Sequence, residues 1–153
     1  MAQVRFNHME LTLPRGALDE QMRDDITRFY GEVFGWETSR SDAVGQTSFF
    51  IRVDDGQFIL LAESSKPMSA PGYDHLGLLC DTREEVGELL EKCRKLQERD
   101  ERVQIQDYGV MPMGGVEVCA FYLKYLLPIQ FDVQHIEYGE QNRPAKRWVY
   151  TEA

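Results

Sequence analysis

Near its start the chain reads Asn7-His8-Met9-Glu10-Leu11, and its second half carries a similar stretch, Asp74-His75-Leu76-Gly77-Leu78. In both stretches histidine comes second, and residues of two kinds alternate after it, as in a strand with two different faces. Two of the three histidines in the chain thus occupy matching positions. We interpret the two stretches as equivalent strands of a duplicated unit, with both histidines opposite the apolar side.

Each of these strands is followed by the pattern of one helix and three strands. In the first half a strand at residues 4–13 ends near Pro14, and Asp19 is placed to cap a helix that closes at Gly35. Apolar and polar residues then predict three strands, with Asp54-Asp55-Gly56 as the turn between the last two. Their expected ranges are 36–40, 46–53 and 57–63.

The second half repeats this order. A strand at residues 73–80 leads into a helix at about 82–97, for which Asp81 or Thr82 would be the cap. A glycine-containing loop at 109–115 is expected to form a mobile rim. The three strands of this half are expected near 102–106, 116–125 and 130–138.

The two halves predict an α+β fold of two βαβββ modules. Module 1 covers about residues 4–63, a loop follows at 64–72, module 2 covers about 73–138, and 139–153 form a tail. One such module is too small to bury its sheet well. We therefore expect a single domain over 1–153, in which the modules form a curved mixed sheet around a cleft.

The charge balance excludes several classes of partner. A formal net charge of −9 opposes phosphate backbones and anionic lipid, so we expect no nucleic-acid and no membrane partner. A basic cluster of Arg143, Lys146 and Arg147 is interpreted as a solvated tail. The odd number of cysteines without a C-x-x-C pair, and the lack of a leader or a long apolar span, predict a cytoplasmic location.

The duplicated order, the strand-opening histidines and the helix end Phe29-Tyr30-Gly31-Glu32-Val33-Phe34-Gly35-Trp36 resemble the vicinal oxygen chelate superfamily. This superfamily includes glyoxalase I, bleomycin-resistance proteins and extradiol dioxygenases. The resemblance implies a glyoxalase-like fold, a small-molecule ligand or substrate, and a homodimer whose modules pair within one chain or across two.

The resemblance also implies a metal site, because members of the family take metal ligands from the first and last strands of each half. The matching positions here are His8, His75 and Asp132, while Leu60 stands where the first-half carboxylate would be. Two imidazoles and a carboxylate suit Fe, Mn, Zn or Ni as a divalent ion. The alternative is a metal-free pocket in which His8 and Asp132 hydrogen-bond each other.

Further site residues follow from strand parity. Glu10 shares the strand face of His8, so it is a candidate general base, or it pairs with an arginine at the rim. His135 has the opposite parity to Asp132 and should point away from the cleft. Phosphate-loop and dinucleotide motifs are absent from the sequence, so we expect no nucleotide cofactor. Four candidate substrate-binding residues have other grounds: Tyr108 and Met113 flank the glycine-containing loop, Leu60 stands at a ligand position of the family, and Tyr122 is one of several aromatic residues on or beside strands.

Three functions are consistent with these observations. The first is a metal-dependent lyase, isomerase or dioxygenase that acts on a small oxygenated substrate. The second is a metal-free protein similar to bleomycin-resistance proteins, which sequesters a compound, and the absence of a carboxylate at Leu60 favours it. The third is a dimerisation unit with a vestigial cleft.

Overall fold

The computed structural model describes residues 4–43 and 46–145, so Lys146, Arg147 and the rest of the tail lie outside the described residues. Module 1 contains four strands and one helix, and module 2 repeats that order before a short 3-10 turn at Glu140–Asn142. The elements of module 1 are β1 (His8–Pro14), α1 (Glu20–Phe34), β2 (Glu37–Ala43), β3 (Gln46–Asp54) and β4 (Gln57–Ser64). Those of module 2 are β5 (His75–Leu79), α2 (Arg83–Gln97), β6 (Gln104–Met113), β7 (Val116–Lys124) and β8 (Gln130–Tyr138).

The strands form two mixed four-stranded sheets, one in each module. Their orders are β1-β4-β3-β2 and β5-β8-β7-β6, so β1 and β5 are edge strands. In each sheet the first and last strands of the module pair in parallel, and the other pairs are antiparallel. The predicted α+β fold of two βαβββ modules is confirmed, with the mixed sheet divided into two.

The helix boundaries follow from their caps. The Asp19 side chain accepts a hydrogen bond from the Met22 amide at 2.8 Å, and α1 ends at Gly35 with a φ of 72°. This left-handed conformation favours glycine because glycine has no Cβ. At α2, Thr82 and Glu85 form a capping box, in which each side chain bonds the backbone amide of the other residue. Both helix starts therefore agree with the sequence prediction.

The predicted loop at 109–115 is wrong. Strand β6 continues to Met113, and only Gly114 and Gly115 form the turn into β7. A register shift between Asp107 and Gly109 interrupts the alternation of β6. Such a bulge lets an extended strand contain a glycine. Because it breaks the regular alternation of apolar and polar residues, a prediction that requires strict alternation misses this strand.

The hydrophobic core lies on the helix side of both sheets. Alternate residues of the strands are almost fully buried there, and the buried side chains of the two modules form one cluster. The open face of each sheet, which we define as the face opposite the helices, carries the residues of the other parity. The core residues with no more than 1% exposure on the strands are Leu11, Ile51, Leu61, Phe121, Leu123, Phe131 and Val133.

Helix α1 connects the modules by packing against module 2. The Tyr30 hydroxyl donates to the Tyr125 carbonyl at 2.7 Å, and the Phe29 ring stacks on the Tyr125 ring at 4.0 Å. Beside them, Asp25 is only 2% exposed and pairs with Arg102 of module 2 at 2.9 Å. No helix of the described residues is long and apolar enough to cross a membrane.

Candidate functional site

Strand register places both module histidines on the open faces, as the sequence predicted. In the first sheet His8 lies beside Phe58, and Glu10 lies beside Leu60. In the second sheet His75 lies beside Gln130. The next open-face row of that sheet runs from Gly77 through Asp132 to Tyr122 and Gln106.

His75 and Asp132 form a close pair. The Nε2 atom of His75 is 3.8 Å from Oδ2 of Asp132. Asp132 is only 8% exposed, and within the described residues its buried Oδ1 has no hydrogen-bond partner. Burial raises the pKa of the Asp132 carboxyl, while the nearby His75 opposes that rise. The pair thus contains a poorly solvated carboxylate with unused acceptor capacity.

The hydrogen bonds of His75 define its tautomer. Its Nδ1 lies 2.6 Å from the Tyr73 carbonyl, which can only accept, so Nδ1 carries the proton. In the neutral ring Nε2 then has a free lone pair that faces the Asp132 carboxylate. Two acceptors that face each other at 3.8 Å can be satisfied by a proton on Nε2, which makes an ion pair, or by a metal cation between them. This donor set therefore fits a metal ion, and the Nδ1–H bond to a carbonyl is the usual support of a histidine ligand.

Three tyrosines surround this pair. The Tyr122 hydroxyl lies 3.3 Å from His75 Nδ1, and its ring contacts those of Tyr108 and Tyr73 at centroid distances of 5.2 and 6.3 Å. Burial and the Asp132 charge raise the pKa of Tyr122, and burial is also the main cause of the raised pKa of Tyr108. Both hydroxyls therefore stay protonated at neutral pH and can donate hydrogen bonds to a ligand.

The structure places His8 in a separate environment. Its ring stacks on Phe58 at 4.8 Å, and its Nδ1 bonds Asn7 Oδ1 at 2.7 Å. Among the described residues, no group of three or more His, Cys, Asp or Glu side chains is arranged to hold a metal ion. Within one chain, then, His75 and Asp132 come together without His8.

The other predicted site residues are spread over both open faces. Glu10 is exposed, and Leu60 beside it is half-buried. Met113 is 56% exposed and lies six residues along the sheet from the Asp132 row, about 20 Å away at strand spacing. His135 bonds the Cys80 carbonyl at 3.2 Å, in agreement with its predicted orientation away from the open face.

Two cavities lie elsewhere in the fold. A groove of about 730 Å³ is lined by residues of both modules, with Trp36, Leu78 and Leu89 from the helix side and Phe58 and Gly77 from the open faces. A second cavity of about 630 Å³ adjoins Asp25 and Arg102. Neither cavity is lined by His8, His75 or Asp132.

The model of the Glyoxalase/Bleomycin resistance protein/Dioxygenase superfamily matches residues 21–107, which is more than half of the chain. The chain belongs to this superfamily. The match begins in α1 and ends in β6, so it includes His75 but neither His8 nor Asp132. No curated protein sequence matches the chain significantly.

Solved structures of the superfamily share the fold. A glyoxylase/bleomycin resistance protein/dioxygenase domain from Frankia sp. EAN1pec is 18% identical, with a TM-score of 0.60 over 92% of this chain and 98% of that one. The fosfomycin resistance protein FosX from Listeria monocytogenes, solved with Mn(II) and 1S,2S-dihydroxypropylphosphonic acid, is 18% identical, with a TM-score of 0.58 over 86% and 92%. FosX from Mesorhizobium loti is 13% identical, with a TM-score of 0.56 over 88% and 93%.

Sequence reasoning missed two residues that support the histidines. Asn7 bonds His8, and the Tyr73 backbone and ring contact His75 and Tyr122. Both residues come one or two positions before their histidine, within the quoted stretches or next to them. Their closeness to the histidines was a usable signal, because side chains at a strand start commonly bond neighbouring backbone and side-chain groups.

Proposed function

We propose that this protein is a divalent-metal-dependent enzyme that acts on a small oxygenated molecule, with His75 and Asp132 as two of its metal ligands. The observation that carries this proposal is the pair itself. His75 directs a lone pair at a buried carboxylate whose Oδ1 has no partner among the described residues. The Mn(II) bound in the FosX structure supports a divalent ion at this kind of fold.

The proposed third ligand is His8 of a second copy of the chain. His8 and His75 begin equivalent edge strands, yet His8 contributes to no ligand cluster within the described part of one chain. Large apolar side chains are exposed beside these two edges, where Phe6, Tyr73 and Leu79 are 51, 64 and 68% exposed. A symmetric dimer that covers these edges would bring the open face of module 1 onto that of module 2 from the partner.

The residues around the pair have distinct proposed roles. A divalent ion bound there would polarise a substrate oxygen as a Lewis acid. The protonated hydroxyls of Tyr108 and Tyr122 would donate hydrogen bonds to substrate oxygens as negative charge develops on them. In the proposed dimer Glu10 and Leu60 would enter the site with His8, with Glu10 as base and Leu60 as an apolar wall. Met113, at the far end of the sheet, is not needed for this proposal.

The proposed setting is the reducing cytoplasm. Cys80, Cys93 and Cys119 are free thiols, and burial raises the pKa of Cys80 to about 11 and that of Cys93 to about 12. Thiols that stay protonated are poor nucleophiles in disulfide exchange. Their arrangement is therefore consistent with a protein that does not depend on disulfides.

Metal binding tests the proposal directly. We expect near-stoichiometric Mn(II) binding by the wild type in calorimetry, and a loss of more than about tenfold in affinity for His75→Ala, Asp132→Ala and His8→Ala. His135→Gln is the matched control, because His135 faces the core side. Wild-type protein that binds none of Mn, Fe, Zn or Ni would overturn the proposal and leave a metal-free ligand-binding protein as the better account.

A mixing experiment tests the shared site. A chain with His8→Ala keeps His75 and Asp132, whereas a chain with Asp132→Ala keeps His8. If the site is shared, a mixed dimer has one intact site and one that lacks both ligands. We expect metal binding to return when the two variants are unfolded, mixed and refolded together. Binding that stays absent in verified mixed dimers would exclude the shared arrangement.

A further inference from the structure

The two module histidines share a feature that extends beyond their position. His75 donates its Nδ1 proton to the Tyr73 carbonyl at 2.6 Å. His8 has its Nδ1 at 2.7 Å from the side-chain oxygen of Asn7. In both modules an acceptor supplied just before the histidine holds the proton on Nδ1 and leaves Nε2 as the free nitrogen.

The orientation of the Asn7 amide is fixed by a second hydrogen bond. Its Nδ2 donates to the Gly56 carbonyl at 2.6 Å, so its oxygen is the atom that faces His8. Gly56 lies in the turn between β3 and β4 with a φ of 71°, a conformation that favours glycine. A continuous path thus runs from this turn through Asn7 to the His8 ring, which Phe58 holds by parallel stacking at 4.8 Å.

We propose that Asn7 is a positioning residue that sets the tautomer and orientation of His8, so that Nε2 is presented for metal coordination. This inference rests on the proposed function. The duplication makes it specific, because Asp74 occupies the matching position of module 2 and a backbone carbonyl does the same task there. Removing such an outer partner typically lowers metal affinity by about 10–100-fold.

The role of Asn7 can be separated from a general structural role. The Phe58 amide bonds the backbone carbonyl of Asn7 at 3.2 Å, so the start of the sheet remains paired whichever side chain residue 7 carries. Asn7→Leu keeps the approximate size and removes both amide contacts, whereas Asn7→Asp retains an oxygen that can accept from His8. Asn142 gives a matched control, since its amide bonds the Gly115 carbonyl at 3.1 Å in another turn and makes no hydrogen bond to a histidine among the described residues.

The test combines two measurements on the purified protein. Long-range ¹H–¹⁵N NMR of the metal-free protein reports which ring nitrogen of each histidine carries the proton, and only three histidines need assignment. In Asn7→Leu we expect His8 to lose its Nδ1–H signature while His75 keeps it, and Mn(II) affinity to fall by about 10–100-fold. Asn7→Asp should retain both properties, and Asn142→Leu should leave both unchanged.

The outcomes distinguish this inference from the function on which it rests. A wild type that binds no Mn(II) contradicts the proposed function, and the role of Asn7 in coordination fails with it. A wild type that binds Mn(II), with equal affinity in Asn7→Leu or an unchanged His8 tautomer, contradicts the inference alone.

Discussion

At the scale of single residues, we expect the buried carboxylate of Asp132 to oppose folding unless a cation satisfies it. Its pKa is raised by burial, because the ionised form has lost solvation that His75 only partly replaces. Asp132→Asn removes the charge and keeps the shape. Without metal, we expect this variant to melt about 2–4 °C above the wild type, and in Mn(II) the order should reverse as the wild type alone gains binding energy.

Differential scanning calorimetry in chelator and in Mn(II) checks this reversal. Asp74→Asn, at an exposed position just before β5, controls for the change in net charge. An Asp132→Asn variant that is less stable than the wild type in chelator would mean that the carboxylate makes favourable contacts in the metal-free protein.

A second residue-scale prediction concerns Tyr122. Its hydroxyl is 3.3 Å from His75 Nδ1, whereas the Tyr73 carbonyl is at 2.6 Å and already takes the proton. Tyr122→Phe should therefore leave Mn(II) affinity within about twofold of the wild type, since the stronger acceptor remains. Calorimetric titration measures this, and a tenfold loss would place the hydroxyl in the support of the ligand.

Strand parity explains which of these residues the sequence revealed. Alternation alone placed His8 and His75 on open faces and gave His135 the opposite parity to Asp132, because the period of a strand is fixed. Asp132 itself was identified through the family resemblance. The Tyr73 carbonyl and the orphaned oxygen of Asp132 could not be predicted this way. They depend on backbone direction and on burial by neighbouring strands, which no local pattern encodes.

At the scale of elements, the start of α2 depends on its capping box. Thr82 accepts from the Glu85 amide at 3.2 Å, and Glu85 in turn accepts from the amides of Thr82 and Asp81. Thr82→Ala removes the hydroxyl that accepts from the Glu85 amide. We expect the free energy of unfolding to fall by about 1 kcal/mol and the Tm by about 2–4 °C. Thermal unfolding followed by circular dichroism measures the loss, and Thr82→Ser, which keeps the hydroxyl, should restore most of it.

Both helices could be predicted because caps and apolar periodicity occur within a short stretch of sequence. Strand β6 could not, since Gly109 and Pro112 interrupt its pattern. The strand exists because β7 pairs with it on both sides of the bulge. Its stability comes from a partner strand rather than from the propensity of its own residues.

At the scale of the whole molecule, the duplication predicted the two modules but not their division into two sheets. Whether the two sheets join into one depends on how their edge strands, β1 and β5, pair. The local sequence pattern of these strands is the same whether they pair within one chain or across two, so it does not predict the arrangement. The contact of α1 with module 2 was equally hidden. It depends on Asp25, a charged residue in a helix, which the sequence suggests should face solvent.

The Asp25–Arg102 ion pair joins module 1 to module 2, so we expect the interface between the modules to become less stable at low pH. Arg102 bonds Asp25 at 2.9 Å and Asp100 at 2.7 Å, and these bonds lower the pKa of both carboxyls. A carboxyl whose pKa is lower in the folded state stabilises the fold above its unfolded pKa, near 3.9, and this stability disappears as pH falls through the folded value. The contribution is therefore complete at pH 7 and is lost progressively below about pH 4.

Arg102→Gln should consequently melt roughly 5 °C below the wild type at pH 7, because buried Asp25 then keeps only Arg28 and Gln21 as partners among the described residues. The difference should narrow as pH falls below about 4, because the stability that the two carboxylates contribute declines progressively as pH approaches their lowered pKa values in the folded state. Arg94→Gln is the matched control, since Arg94 pairs with Glu91 and Asp107 on the surface of module 2 and does not join the modules. If the Arg102→Gln difference stayed constant from pH 7 to 3, the network would contribute packing rather than charge, and Tyr30 and Phe29 would be the main link between the modules.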